Sequence, residues 1–159
     1  NLNDEIEMID LNIKAVHILT KLILKDMEDR NSGYILNVAS SAAFQPGPLM
    51  ATYYATKAYV TSLTRAVARE LKEQKSKVYI GCLCPGPVDT EFNDVANVQF
   101  ALKGISPSYC ANYAIDKMKK RKVVIVPSLK MKMAMFGGRL IPDDLYIKIA
   151  GHQQKKKFM

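Results

Sequence analysis

The sequence predicts an α/β fold on a parallel sheet, and three observations carry that expectation. Apolar runs at 34–39, 77–83 and 122–127 have the length and content of buried strands. Each follows a longer run whose apolar residues recur at helical spacing. Helix alternating with strand implies parallel pairing through right-handed crossovers, with helices on both faces of three strands. A chain of 159 residues, 48% hydrophobic, has room for a single sizeable core. Ligands of such sheets bind beyond the carboxyl ends of the strands.

The first helix is predicted over 2–27. Ile6, Ile9, Ile13, Val16, Leu19, Leu22 and Ile23 follow one side, and Met8, Leu11, Ile18 and Leu24 widen the stripe beyond a single face. A helix this apolar is covered from two directions. Asp29-Arg30-Asn31-Ser32-Gly33 supplies the turn into the strand from Tyr34 to Ala39. The segment 44–50, with Pro46, Gly47 and Pro48, reads as a loop over the site at the strand end, expected to line the substrate pocket. A second helix, from about Thr52 to Glu73, carries Ala55, Ala58, Ser62 and Ala66 at helical spacing, which suits close helix packing.

Strand 77–83 then delivers Cys84-Pro85-Gly86-Pro87-Val88-Asp89-Thr90. Gly86 permits close approach of the backbone, and the two prolines stiffen the turn. Residues 91–104, with Phe92, Val95, Val98 and Phe100, read as an apolar lid. Ser106-Pro107 opens a third helix, with serine at the N-cap and proline in the first turn, running to about Arg121. Past Ser128 the chain changes character. Met131, Met133, Met135 and Phe136 precede Gly137-Gly138, and Ile141-Pro142 opens a final segment with Leu145, Ile147 and Ile149. The expected division is a main part, 1–128, and a basic amphipathic helical extension, 129–159.

The chemistry concentrates in Tyr53-Tyr54-Ala55-Thr56-Lys57 and the upstream Asn37-Val38-Ala39-Ser40-Ser41. Tyrosine and lysine at i and i+4 share one helix face, and an ammonium beside a phenol favours the phenolate. A serine at a strand end can hold the oxygen that exchanges the proton. Asn12 stands out in the first helix, because asparagine bonds locally in ways that compete with the helical ladder.

At these residues the sequence resembles the short-chain dehydrogenase/reductases. The family pattern of a serine, a tyrosine thirteen positions on and a lysine four further selects Ser40, Tyr53 and Lys57; Ser41 and Tyr54 are each one place out of step. Asn12 matches the asparagine that holds a helix kink and a relay water, and residues 84–90 match the family's Pro-Gly loop. The resemblance implies the later part of a Rossmann-type doubly wound domain and an oxidoreductase interconverting a carbonyl and an alcohol. It assigns Asn12, Ser40, Tyr53 and Lys57 to catalysis. Tyr53, Lys57, Pro85, Gly86, Val88 and Thr90 fall to an NAD(P) cofactor, with NADP(H) preferred. It also implies a two-fold helix bundle, hence a homodimer or homotetramer. The family's glycine-rich phosphate turn is absent, so the chain is expected to hold half a cofactor site and to be inactive alone. Two other readings are a truncated or degenerate module without catalysis, and epimerase or dehydratase chemistry on the same tyrosine–lysine pair.

The net charge of +8 is uneven: from Lys117 onward twelve Lys/Arg face two acids, Asp143 and Asp144. A basic, methionine-rich hairpin suits either a solvated tail or an anionic membrane surface. No binding motif or interleaved aromatics point to nucleic acid. Cys82 and Cys84 alternate along a strand, which is poor geometry for a mutual disulfide, and no Cys/His set suggests a metal. Buried thiols and the lack of a signal or spanning stretch give a cytoplasmic expectation, with peripheral membrane contact through the tail. The apolar lid and tail lean towards a lipophilic or acyl carbonyl substrate.

Overall fold

The computed structural model describes residues 1–91, 104–138 and 140–155. Most of the expected lid (Phe92, Val95, Val98 and Phe100), and Lys156 and Lys157 of the tail, lie outside the described residues. Helix α1 (Leu2–Ile9) runs through a wide π-turn (Asp10–Ala15) into α2 (Val16–Asp29). The rod expected over 2–27 therefore exists with one altered turn, and Asn12 lies in it. Strand β1 (Tyr34–Val38), a 3-10 turn (Ser41–Phe44) and helix α3 (Ala51–Glu73) follow. Next come β2 (Tyr79–Leu83), α4 (Pro107–Lys119) and β3 (Val124–Ile125). Helices α5 (Leu129–Gly138) and α6 (Asp143–Lys155) end the described chain.

The three strands are parallel in the order β1-β2-β3, with Tyr34 opposite Tyr79 and Cys82 opposite Val124. Strand β3 is shorter than the 122–127 expected. Pro127 has no N–H to extend the ladder, although the Val123 and Ile125 carbonyls still accept from Cys82 and Cys84 N–H at 2.8 and 2.7 Å.

Side-chain alternation puts helices on both faces. On one, Ile80 packs with Leu24 of α2 and Val67 and Leu71 of α3, while Cys82 and Cys84 pack with Val60. On the other, Leu83 and Ile125 meet Cys110 and Ala114 of α4. The three cysteines are free and buried, and the Cys82 and Cys84 sulfurs sit 3.8 Å apart on one face. Central β2 is buried throughout, whereas edge strand β1 leaves Tyr34 and Val38 exposed. The wide stripe of α1 and α2 is likewise open, with Leu2, Leu11 and Leu22 more than 60% exposed.

Three helices end alike. Asn31, Lys75 and Arg121 follow α2, α3 and α4 with φ of 47°, 56° and 55°. The next N–H then reaches back across the last turn: Ser32 to Met27 O, Ser76 to Leu71 O and Lys122 to Lys117 O, at 2.9–3.0 Å. This left-handed cap turns each helix sharply towards its strand, and glycine suits it best. Lys75→Gly should therefore stabilise the fold by about 1 kcal/mol, read as a raised urea midpoint; an unchanged or lowered midpoint would contradict the strain assigned here.

Candidate active site

Tyr53 and Lys57 leave one turn of α3 on the side facing the carboxyl end of β1, where Ser40 caps the 3-10 turn. The Ser40 hydroxyl accepts the Ala42 N–H at 3.1 Å and neighbours the Tyr53 phenol. The Lys57 ammonium stands 5.7 Å from the Tyr53 ring centroid. Burial raises the Tyr53 pKa above its usual value, and the Ser40 hydroxyl opposes it. Burial also lowers the Lys57 pKa. The sequence expectation that Lys57 depresses the phenol is therefore not met in the chain alone, because the same dry site penalises the charge on both groups.

The π-turn presents Asn12 to α3. Its amide N–H donates to the Thr56 hydroxyl at 3.2 Å, and Thr56 donates to the Tyr53 carbonyl at 2.8 Å. About two turns further along α3, Asn37 of β1 donates to Thr64 at 2.9 Å and accepts from Thr20 at 3.4 Å. The site is thus seated on buried side-chain hydrogen bonds linking α2, β1 and α3.

The Pro-Gly turn lies against the same strand end. Leu83 and Pro85 carbonyls accept from Ala39 and Ser41 N–H, both at 2.8 Å. Val88 and Ile105 form an isolated parallel bridge, with Asp89 N–H to Ile105 O and Ile105 N–H to Pro87 O, each at 3.0 Å. Val88 is half-buried there, and Thr90 is exposed. Gly86 does allow close approach, but in this chain Met131 of α5 makes it: a Cβ on Gly86 would lie 2.8 Å from Met131 Cγ. Met131 and Met135 also pack against the cluster of Ala39, Cys84 and Val126, so the start of the tail covers the reaction end of the sheet.

Tyr54, the out-of-step tyrosine, points elsewhere. It is buried, lines a cavity of about 630 Å³ with residues 43–48 and Ala58, and accepts a hydrogen bond from the Gln154 amide. That cavity includes neither Ser40, Tyr53 nor Lys57. The loop therefore lines a pocket on a different side of α3 from the candidate catalytic groups. The contacts that Thr56, Met131 and Gln154 make were not read from the sequence. Of these only Thr56, a β-branched hydroxyl residue inside a helix, carried a local signal.

Among the described residues there is no cluster of three metal-ligating side chains and no helix long and apolar enough to cross a membrane. The chain is 38% identical over 89 residues to dehydrogenase/reductase SDR family member 4 of Bos taurus, covering 56% of this chain and 31% of that protein. It is 39% identical over 104 residues to 17-beta-hydroxysteroid dehydrogenase type 3 of Homo sapiens, covering 65% of this chain and 33% of that protein. It thus spans about a third of the curated relatives it matches. Among solved structures, a short-chain dehydrogenase from Sphingobium yanoikuyae in complex with NADPH superposes with a TM-score of 0.70 at 26% identity, over 83% of this chain and 53% of that one. The family model described as short chain dehydrogenase matches residues 1–99, the part that holds Asn12, Ser40, Tyr53, Lys57 and the Pro-Gly turn, and the chain belongs to that family.

Proposed function

We propose that this chain carries the catalytic part of an NAD(P)-dependent oxidoreductase that interconverts a ketone or aldehyde and an alcohol. The observation that carries the reading is the grouping at a strand's carboxyl end of the Tyr53 phenol, the neighbouring Ser40 hydroxyl and the Lys57 ammonium, 5.7 Å from the phenol ring. Tyr53 gives its proton to the substrate oxygen during reduction and takes it back during oxidation. Ser40 holds that oxygen through its hydroxyl. When bound, the nicotinamide supplies or accepts the hydride.

The residues present fit such a group on its ribose and nicotinamide side. Lys57 offers three donors to ribose hydroxyls from a site that disfavours its own charge. Pro85, Gly86 and Val88 border the nicotinamide end, and Thr90 takes a phosphate. Asn12 anchors a relay water behind Lys57. NADP(H) is the preferred form, supported by the NADPH in the solved relative. A lipophilic carbonyl is the substrate class, supported by the steroid-named human relative and the methionines that roof the strand ends.

The protein works as a homodimer or homotetramer in the cytoplasm. Support for assembly comes from the open stripe of α1 and α2 and from Ala55, Ser62 and Ala66, all exposed on α3. The basic C-terminal segment adds peripheral contact with an anionic membrane.

In the full-length protein, Tyr53→Phe should lower kcat for ketone reduction by about a thousandfold while the cofactor still binds. Lys57→Ala should weaken both turnover and cofactor affinity. Tyr54→Phe should cost far less than Tyr53→Phe, and the reverse ranking would show that the neighbouring tyrosine is the proton donor. Reduction requires the protonated phenol, and burial raises the Tyr53 pKa, so the acid form is present at neutral pH. Carbonyl reduction should therefore hold across neutral pH and fall, as alcohol oxidation rises, only above about pH 10. Rates moving together in both directions would contradict the assignment.

A further inference from the structure

Thr56 stands between Tyr53 and Lys57 in the chain but turns away from the substrate side, and it is 1% exposed. Threonine is a mediocre helix former, and a hydroxyl bonded back to a carbonyl three residues earlier slightly destabilises and bends a helix. At this position the bond has a second partner. The same oxygen accepts from Asn12 at 3.2 Å while donating to the Tyr53 carbonyl at 2.8 Å. Asn12 in turn lies in the π-turn between α1 and α2, and such wide turns recur at functional sites.

A single hydroxyl therefore joins the one altered turn among the described helices to the turn of α3 that carries both candidate catalytic side chains. Ser40, the third member, is placed independently by β1 and its 3-10 turn. The geometry among the three groups thus depends on how α3 is fixed along and about its axis. Contacts with the sheet through Val60 and Val67 set its distance, but apolar packing restrains sliding less sharply than directed hydrogen bonds.

We propose that Thr56 is a positioning residue for the proton-transfer pair: its hydroxyl ties the Asn12 side chain to the Tyr53 backbone and so holds Tyr53 and Lys57 in register with Ser40. The proposal rests on the oxidoreductase reading of the site. Thr56→Val keeps the side chain's shape, removes the tie and leaves every group that touches the substrate in place. Its loss should appear in the chemical step, because small misplacements of reacting groups are costly there.

The test uses the full-length protein, a ketone that it reduces, and NADPH. Thr56→Val should lower kcat about tenfold, change the ketone KM much less, and shift the pH midpoint of reduction. Thr56→Ser, which retains the hydroxyl, should restore both. The losses from Asn12→Ala and Thr56→Val should combine to less than their sum, since the tie between them counts once. Where Thr56→Val does not fold, Thr56→Ala is compared with Thr56→Ser in the same way. A wild-type kcat and pH profile in Thr56→Val, a serine variant no better than valine, or fully additive losses would each overturn the proposal. Wild-type protein that reduces no ketone would instead remove the oxidoreductase reading, and the positioning role with it.

Discussion

Helix α3 has to bury polar side chains on the face it turns towards the sheet, and much of the described structure answers that constraint. A buried hydroxyl or amide is costly unless it is paired. Thr56, Thr61 and Thr64 are each at most 3% exposed, and all have partners: Asn12, the Cys84 thiol and Asn37. Thr20 of α2 completes the set through Asn37. These bonds have direction, so they fix the rotation and register of α3 against α2 and β1. That register decides where Tyr53 and Lys57 emerge. Packing on Val60, Val67 and Leu71 holds the helix down, and the polar pairs say where along the sheet it stops.

The strand ends are then closed from the other side of the sequence. The Pro-Gly turn is pinned to the end of β1 by backbone hydrogen bonds and to Ile105 by a short bridge, which brings residues far apart in the chain to one edge. Met131 occupies the space that Gly86 leaves. A thioether is a soft and adaptable contact. The C-terminal helices thus touch the Pro-Gly turn, helix α3 and the loop before it. Gln154 of α6 reaches Tyr54, and Gly151 packs on Pro48.

Much of this was legible in the sequence, for identifiable reasons. Strand and helix order follow from periodicity, and parallel pairing from that order. The shared helix face of Tyr53 and Lys57 follows from their i, i+4 spacing. Ser40, and the choice of Tyr53 over Tyr54, rest instead on the resemblance to the family's pattern, which no helix geometry supplies. The pairing of Asn12 with Thr56 was not legible, because it joins residues forty-four positions apart through a local π-turn that no composition rule announces. The raised Tyr53 pKa of the chain alone was not legible in the sequence, because proximity of a cation is visible in a motif but burial is not. The contact of Met131 with Gly86 depends on where a separate helix lands. The length of β3 was overestimated because a run of valines and isoleucine says nothing about which residues find ladder partners.

The central claim is that Ser40 and Tyr53 share one substrate oxygen. It is tested most directly by a crystal structure of the full-length protein with NADP and a bound ketone or alcohol. The account predicts that oxygen within about 2.6–3.2 Å of both the Ser40 hydroxyl and the Tyr53 phenol, with Lys57 on the ribose. A substrate oxygen held by Tyr54 on the other side of α3, or one that touches Tyr53 without Ser40, would contradict it.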